Sequence, residues 1–427
     1  MSLEQHVPHR SLWADAVRRF SKNRLAMLGL GVLGGVPWLV NPLLSALCLY
    51  LVYRLGSSLY DERTGLLAAV LGLFSPLFLV LSGSYLSHMA TLLWLLLFSL
   101  WFVWTAQGRS RWFALGAGLA LGLAFLTRSL TAVAFATPFA LYSLVQVLRR
   151  RQPHWPHYLL VALGGGGLAL LLPLYQWAVT GDPWLNPYLL WWPYDKLGFG
   201  SGIGAMPGGH SPYYAWINLK QDLSRTATDV LGWPALSWVP LLLGLALRPR
   251  RAKDWALLAP FACLVVAYLF YWIGSPARLW GPRYYFEGFA GLWLLSALGL
   301  VKVWDRGRQR TWIRVVLVAA VALFLGSNLA ISVPDRLSQA HGFYGISRDQ
   351  LQPIEEADLH NALVIVYAER WLEYGAMLAE MSPMLDGDVV YARGDGPEAD
   401  AAVIAAFPGR AVYYLSGGHL SPAPEEP

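Results

Sequence analysis

Long apolar segments recur along most of this chain and constrain its fold more than any other feature. A hydrocarbon core about 30 Å thick is crossed by about 20 helical residues, and backbone inside it must satisfy its own hydrogen bonds. We therefore predict an all-α, multi-pass transmembrane bundle of roughly ten helices with a small α/β domain at the C-terminal end. The predicted spans cover residues 37–53, 64–82, 86–106, 113–127, 129–147, 158–180, 231–247, 255–274, 284–302 and 314–333.

The composition agrees with a membrane protein and argues against a nucleic-acid partner. Of the residues, 56% are hydrophobic and 14% are charged, whereas soluble domains carry about 25% charged residues. The 21 tryptophans suit the boundary between lipid and water. The net charge of +6 comes from basic residues in short clusters between apolar runs, a placement typical of membrane orientation.

The distribution of basic residues predicts the orientation of the bundle. Alternate loops, among them 148–151, 248–253 and 302–314, hold most of the Arg and Lys residues, so these loops are predicted to be cytoplasmic. The loop 181–230 and the tail after 333 then face outward. The first span runs against this rule, because the segment before it is basic although it should lie outside.

Three regions follow from the pattern. Residues 1–24 form a basic N-terminal segment, residues 25–333 form the bundle, and residues 334–427 form a soluble tail. Within the tail we predict strands at 362–367, 389–391 and 411–415 and a helix at 398–407. The tail contains no nucleotide-binding glycine motif and no cluster of metal ligands, and we expect neither a cofactor nor a metal.

Charged residues near membrane depth are expensive, so they are the first candidates for a site. Arg128 lies in a short outward turn, either as an interfacial arginine reaching water or as a phosphate ligand. Arg283, Tyr284 and Glu287 open a span from the outer side. Arg283 and Glu287 have the spacing of a simple i,i+4 ion pair, or else Arg283 binds an anion and Glu287 orients it.

Two further candidates are less specific. His88 starts another span from outside, and a lone histidine is more often a structural residue than a ligand. The loop 181–230 is rich in aromatic residues, proline and glycine, which fits an interfacial belt or part of a substrate site. Within it, Lys196 is a candidate ligand and Asp195 a weak candidate for the general base, one of several outward carboxylates.

Several short motifs together resemble a known family. They are the runs 41–44, 53–56, 60–65, 75–78, 82–88 and 125–128 and the turn 282–285. In order and spacing they resemble the GT-C membrane glycosyltransferases, in the bacterial branch related to protein O-mannosyltransferases and lipid A aminoarabinose transferases. The resemblance covers most of residues 25–333.

This resemblance implies transfer of a sugar from a polyprenyl-phosphate donor to a lipid, glycan or protein acceptor. The reaction would take place on the outer face of the bacterial inner membrane, with the C-terminal tail extracytoplasmic. It also implies that Arg128 and Arg283 contact the donor phosphate. The candidate substrate-binding set is therefore Arg128, Arg283, Tyr284, Glu287, His88 and Lys196.

One departure from the family leaves an alternative open. The family carries its catalytic acidic residue in the first outward loop, just after the first span, and we find no such loop ahead of residue 37. One hypothesis is a truncated or rearranged member that binds lipid phosphate without transferring sugar. A transporter is disfavoured because no inverted repeat is visible, and the glycine run 164–167 fits close helix packing better than a pore.

Overall fold

The computed structural model describes residues 37–150, 153–247, 252–274, 278–368, 370–382 and 384–423, without the side chains of Pro37, Trp191, Arg278 and Trp371. The predicted basic segment 1–24 and the question of a span ahead of residue 37 lie outside these residues. The chain divides into two compact units, with the division between Arg336 and Leu337.

In the described residues of the first unit, the regular elements are helices, and a long loop between residues 192 and 211 holds two isolated β-bridges. Short 3₁₀ turns cover Pro37–Leu39, Arg278–Trp280 and Arg283–Gly288, and a π-helical turn covers Asn328–Ser332. The helices are α1 Val40–Leu59, α2 Glu62–Leu73, α3 Pro76–Ser82, α4 His88–Ala106, α5 Arg111–Thr127, α6 Ser129–Arg149, α7 Pro156–Ala169, α8 Leu171–Thr180, α9 Tyr188–Trp191, α10 Pro212–Asp229, α11 Trp238–Ala246, α12 Ala252–Tyr268, α13 Phe289–Arg306, α14 Thr311–Ser327 and α15 Val333–Ala340.

Each predicted span overlaps at least one helix, although several extend beyond the helix ends, and the predicted fold class is confirmed. By length and composition, the described residues contain 6 helices that can cross a membrane, or 7 if the bent pair α2 and α3 is one span. That pair is bent by 68° because Ser75 caps a new helix with Pro76 in its first turn. The predicted span 231–247 contains only the nine-residue α11, since the chain turns at Gly232, where φ is +74°.

Helix α13 lies at the centre of the bundle and is buried from Phe289 to Leu300. The indole of Trp293 donates a hydrogen bond to the carbonyl of Val230 at 2.8 Å and meets the ring of Phe78 edge-on at 5.7 Å. The backbone of α11 comes close at Gly299, where an added Cβ would lie 2.0 Å from the Pro240 carbonyl oxygen. Such contacts between small residues are how helices pack inside a membrane.

Close helix packing was predicted for the glycine run 164–167, and the first half of the run shows it. Gly164 and Gly165 are buried against α5, and a Cβ on Gly118 would lie 2.3 Å from the Val161 carbonyl oxygen. Gly166 and Gly167 have no atom within 4 Å of the position that a Cβ would take, among the atoms described. The first half of the run is therefore packing surface between α5 and α7.

The second unit is a four-stranded sheet of β1 Ala362–Tyr367, β2 Val389–Arg393, β3 Ala411–Ser416 and β4 His419–Pro422, in the order β2-β1-β3-β4. The central strand β1 pairs in parallel with β2 and β3, and β4 pairs antiparallel with β3 across a turn at Gly417 and Gly418. The three predicted strands and the predicted helix are found, whereas β4 was not predicted. The helices of this unit are α16 Gln352–Glu356, α17 Gly375–Glu380 and α18 Pro397–Ala406. Short 3₁₀ turns cover Phe343–Gly345, Arg348–Leu351 and Trp371–Tyr374.

Candidate functional site

Several predicted residues meet where α4 begins, α5 passes into α6, and the 3₁₀ turn Arg283–Gly288 leads into α13. We call this group the Arg128–Glu287 cluster. It consists of His88, Arg128, Thr131, Tyr268, Arg283, Tyr284 and Glu287. These residues come from three parts of the sequence, His88, residues 128–131 and residues 268–287, and Thr131 and Tyr268 alone are 137 positions apart.

Glu287 and His88 form the buried centre of the cluster. Their side chains are 0% and 1% exposed, and His88 Nδ1 lies 2.9 Å from Glu287 Oε1. A buried carboxylate is stable only with close partners, because removing its charge from water is costly. Glu287 Oε2 is buried and makes no hydrogen bond among the described residues. His88 is thus a paired residue of the cluster and not an isolated histidine.

Arg128 occupies the turn between α5 and α6 and connects three side chains. Its Nε lies 3.8 Å from Glu287 Oε1 and donates to the Thr131 hydroxyl at 3.3 Å. One terminal nitrogen donates to the Tyr268 hydroxyl, also at 3.3 Å. The Arg128 side chain keeps 20% of its surface exposed, so its guanidinium is held in place while one side stays accessible.

Arg283 also approaches the ring of Tyr284. Its guanidinium lies 5.0 Å from the centre of the Tyr284 ring and donates to the Tyr284 hydroxyl at 3.0 Å. The Arg128 guanidinium lies 5.9 Å from the centre of that ring. Arg283 Nε is buried and has no hydrogen-bond partner among the described residues. Two cations thus share one aromatic ring within the range of cation–π attraction.

The expected ion pair between Arg283 and Glu287 is not among the ion pairs of the described residues, in which Glu287 pairs with His88 and Arg128. The reason is local geometry. Residues 283–288 form a 3₁₀ turn, in which side chains three apart align and those four apart do not. Gly281 permits this turn, with φ of +45° and a Cβ position only 2.3 Å from Asp229 Oδ2. The i,i+4 expectation is therefore corrected.

Asp195 lies in the loop between α9 and α10 and is held by the segment that follows α12. Its Oδ1 accepts a hydrogen bond from the Trp272 indole at 2.6 Å. The charges of Asp195 and Arg283 both affect the pKa of Tyr188, which begins α9. Burial first, and then the Asp195 carboxylate, raise the pKa of Tyr188, whereas Arg283 lowers it. Asp195 and Arg283 thus both lie within electrostatic range of Tyr188.

Lys196 is not brought into the cluster by any contact of the described residues. Its side chain is exposed, and its backbone N–H donates to the Tyr194 carbonyl at 2.8 Å. Its predicted role in binding stays a prediction.

Sequence reasoning also missed two members of the cluster, Thr131 and Tyr268, whose hydroxyls lie 2.7 Å apart. The one available sign was a polar side chain near the end of an apolar run, which is common at membrane interfaces.

The charges of the cluster favour an anion. Two guanidiniums face one carboxylate, so the group keeps an excess positive charge when His88 is neutral. Planar guanidinium groups bind phosphate oxygens through paired hydrogen bonds. Among the described residues, no group of three or more His, Cys, Asp or Glu side chains could hold a metal ion. The arrangement can therefore bind and stabilise a phosphate charge through its own side chains.

Comparison with known proteins first indicates a class. Residues 24–177 match the family model described as dolichyl-phosphate-mannose-protein mannosyltransferase. This match includes His88 and Arg128 but ends before Arg283. A second model, described as the N-terminal TM domain of oligopeptide transport permease C, matches residues 11–36, which lie outside the described residues. A search of curated proteins found no match.

Solved structures then give particular relatives of the fold. The chain is similar to the crystal structure of ArnT from Cupriavidus metallidurans bound to undecaprenyl phosphate, with a TM-score of 0.56 and 12% identity over 88% of this chain and 78% of that one. The apo structure of the same protein gives 0.55 and 13% over the same shares. The family model thus confirms the predicted resemblance to the GT-C membrane glycosyltransferases over residues 24–177, and the two solved structures show that the fold is shared.

Proposed function

We propose that the chain transfers a sugar from a polyprenyl-phosphate donor to a lipid, glycan or protein acceptor at the outer face of the bacterial inner membrane. The observation that carries this proposal is the pair of arginines on one tyrosine ring, beside a buried carboxylate that balances only one of them. The undecaprenyl phosphate bound by the structurally similar ArnT supports a lipid-phosphate ligand here.

In this proposal the two arginines have complementary roles. Arg283 offers its buried Nε, which makes no hydrogen bond among the described residues, to a phosphate oxygen. Arg128, fixed by Thr131 and Tyr268, stabilises the charge that develops on the phosphate as the bond to the sugar breaks. Cations held in advance at the place where charge develops lower the barrier without further reorganisation. Glu287 and His88 hold Arg128 in position.

The transfer itself needs a base for the acceptor hydroxyl. The acceptor oxygen forms a bond to the anomeric carbon, the carbon–oxygen bond to phosphate breaks, and the acceptor proton goes to a carboxylate. We propose Asp195 for this role, because its Oδ1 is held by the Trp272 indole and its charge, like that of Arg283, affects the pKa of Tyr188. The charge pattern of the loops supports an outward position for Asp195 and for the C-terminal tail.

A transfer assay in proteoliposomes tests the proposal. The chain is reconstituted with radiolabelled polyprenyl-phosphate sugars and a crude envelope acceptor, and compared with the variants Arg283→Ala, Asp195→Asn and the control Arg54→Ala. Loss of one charge-assisted contact is expected to lower transfer about tenfold or more in Arg283→Ala. The control is expected to keep full activity, because Arg54 donates to the Tyr50 hydroxyl, lies over the Tyr50 ring and takes no part in the Arg128–Glu287 cluster.

The outcomes separate the alternatives. A loss of turnover with unchanged donor affinity in Asp195→Asn supports its role as the base. Donor binding that depends on Arg283 without any transfer supports the binding scaffold that lacks catalysis. Transfer that is equal in the chain and in Arg283→Ala contradicts the assignment of the site.

A further inference from the structure

A groove away from the Arg128–Glu287 cluster joins an apolar trough to a charged mouth. The trough lies between α2, α13 and α14 and has a volume of about 510 Å³. It is lined mainly by apolar side chains, among them Leu67, Leu300, Leu317, Val321 and Leu325. The mouth is a cavity of about 440 Å³ that shares three residues, Arg63, Val301 and Asp305, with the trough.

The length of the trough matches one leaflet of a bilayer. Its α14 residues run from Leu317 to Leu325, about 12 Å along a helix at about 1.5 Å per residue. One leaflet contributes about 15 Å of hydrocarbon to the membrane core. Trp304 lines the trough near the mouth, and the Arg314 guanidinium lies 4.7 Å from the centre of its ring. Tryptophan prefers the level of the lipid headgroups, so the mouth lies at headgroup depth.

The mouth carries charges of both signs in equal number. Arg63, Lys302 and Arg308 face Asp61, Glu62 and Asp305 around it. Asp61 caps α2 by accepting from the Thr64 N–H at 2.8 Å, and Arg308 lies 3.8 Å from Asp305.

Two cations of the mouth remain available. No hydrogen bond or ion pair engages Arg63 or Lys302 within the part of the chain that the structure describes. A guanidinium and an ammonium suit phosphate oxygens, while the carboxylates of Glu62 and Asp305 suit an ammonium group.

We propose that this groove is a binding site for a phospholipid whose headgroup carries both a phosphate and a primary ammonium. One acyl chain fills the trough, the phosphate meets Arg63 and Lys302, and the ammonium meets Glu62 and Asp305. An anionic headgroup without an ammonium would place its phosphate near the carboxylates of Glu62 and Asp305 and bring no cation to meet them. The site is independent of the transfer reaction, because none of its residues belongs to the Arg128–Glu287 cluster.

Native mass spectrometry of the purified chain with phosphatidylethanolamine, phosphatidylcholine and phosphatidylglycerol of matched acyl chains tests this site. We expect phosphatidylethanolamine to bind about tenfold more tightly than the other two. The double variant Arg63→Ala/Lys302→Ala is expected to lose that preference, whereas the control Arg54→Ala/Arg111→Ala, which removes two basic residues away from the groove, keeps it.

A second pair of variants tests the trough without touching the charges. Val321→Trp fills the space for the acyl chain and is expected to lower phosphatidylethanolamine binding about tenfold. Val316→Trp, on the same helix but outside the trough, is expected to leave it unchanged. Equal binding of the three lipids, a preference for phosphatidylglycerol, or binding that survives both Arg63→Ala/Lys302→Ala and Val321→Trp would overturn the proposal.

Discussion

Replacing Glu287 by glutamine removes the negative charge at the centre of the cluster and keeps the size of the side chain. The 2.9 Å contact with His88 Nδ1 changes from a charge-assisted hydrogen bond to a neutral one. The Arg128 guanidinium, 3.8 Å away, loses its counter-ion. We expect the folded state to become less stable, because the buried His88 and the Arg128 guanidinium both lose their negatively charged partner.

The magnitude follows from burial and distance. The groups at His88 and Glu287 are almost fully buried, so the difference between a charged and a neutral hydrogen bond, about 1 kcal/mol, applies in full. A pair of charges near 4 Å is worth about 4 kcal/mol at an effective dielectric constant of about 20. Water reaches Arg128 over 20% of its side chain and replaces part of that attraction. The expected loss is about 2–4 kcal/mol.

Equilibrium unfolding in mixed micelles measures this loss. Glu62→Gln is the matched control, an exposed glutamate in the same unit, and should change the free energy of unfolding by less than about 0.5 kcal/mol in detergent. A cycle with His88→Asn should show a coupling of about 1 kcal/mol or more between His88 and Glu287. A loss below about 0.5 kcal/mol in Glu287→Gln, or strict additivity with His88→Asn, would refute the reasoning.

Three further predictions concern other parts of the molecule. Gly281→Ala should cost about 1–3 kcal/mol of unfolding free energy, since φ is +45° and a Cβ would meet Asp229; wild-type stability would contradict this. Arg336→Ala should cost about 3–5 kcal/mol, because it removes the buried ion pair with Asp229, and Arg336→Lys should restore part of the loss. In the C-terminal unit, Asp388 raises the pKa of His360, so that contribution to stability is complete below about pH 6.5 and is lost as pH rises through the raised pKa. The Asn361 backbone N–H and then His360 lower the pKa of Asp388, so its contribution is present above about pH 4 and is lost as pH falls through the lowered pKa. Stability should therefore be greatest between these two limits, and a His360→Asn variant whose pH profile matched wild type would exclude this pair as the cause.

The sequence alone determined the class of the molecule, because burial in lipid leaves a strong local pattern. Apolar runs of about 20 residues identify membrane helices, and the tail could be assigned because alternation and turn residues mark short strands. The sequence also placed Arg128 and Arg283 at the ends of predicted spans, where a charged side chain either reaches water or binds a ligand. These are properties of neighbouring residues, so a linear reading detects them.

Other features depended on contacts between distant segments and were decided by the tertiary structure. The pairing of His88 with Glu287 joins residues 199 positions apart, and Arg128 reaches Tyr268 across 140 positions. Neither partner is marked locally, since a histidine or tyrosine at the end of an apolar helix has many possible neighbours. The sequence also did not predict the 3₁₀ turn at 283–288, because the same apolar pattern fits both i,i+3 and i,i+4 geometry. The close approach of Gly281 to Asp229 in the tertiary structure decides between them.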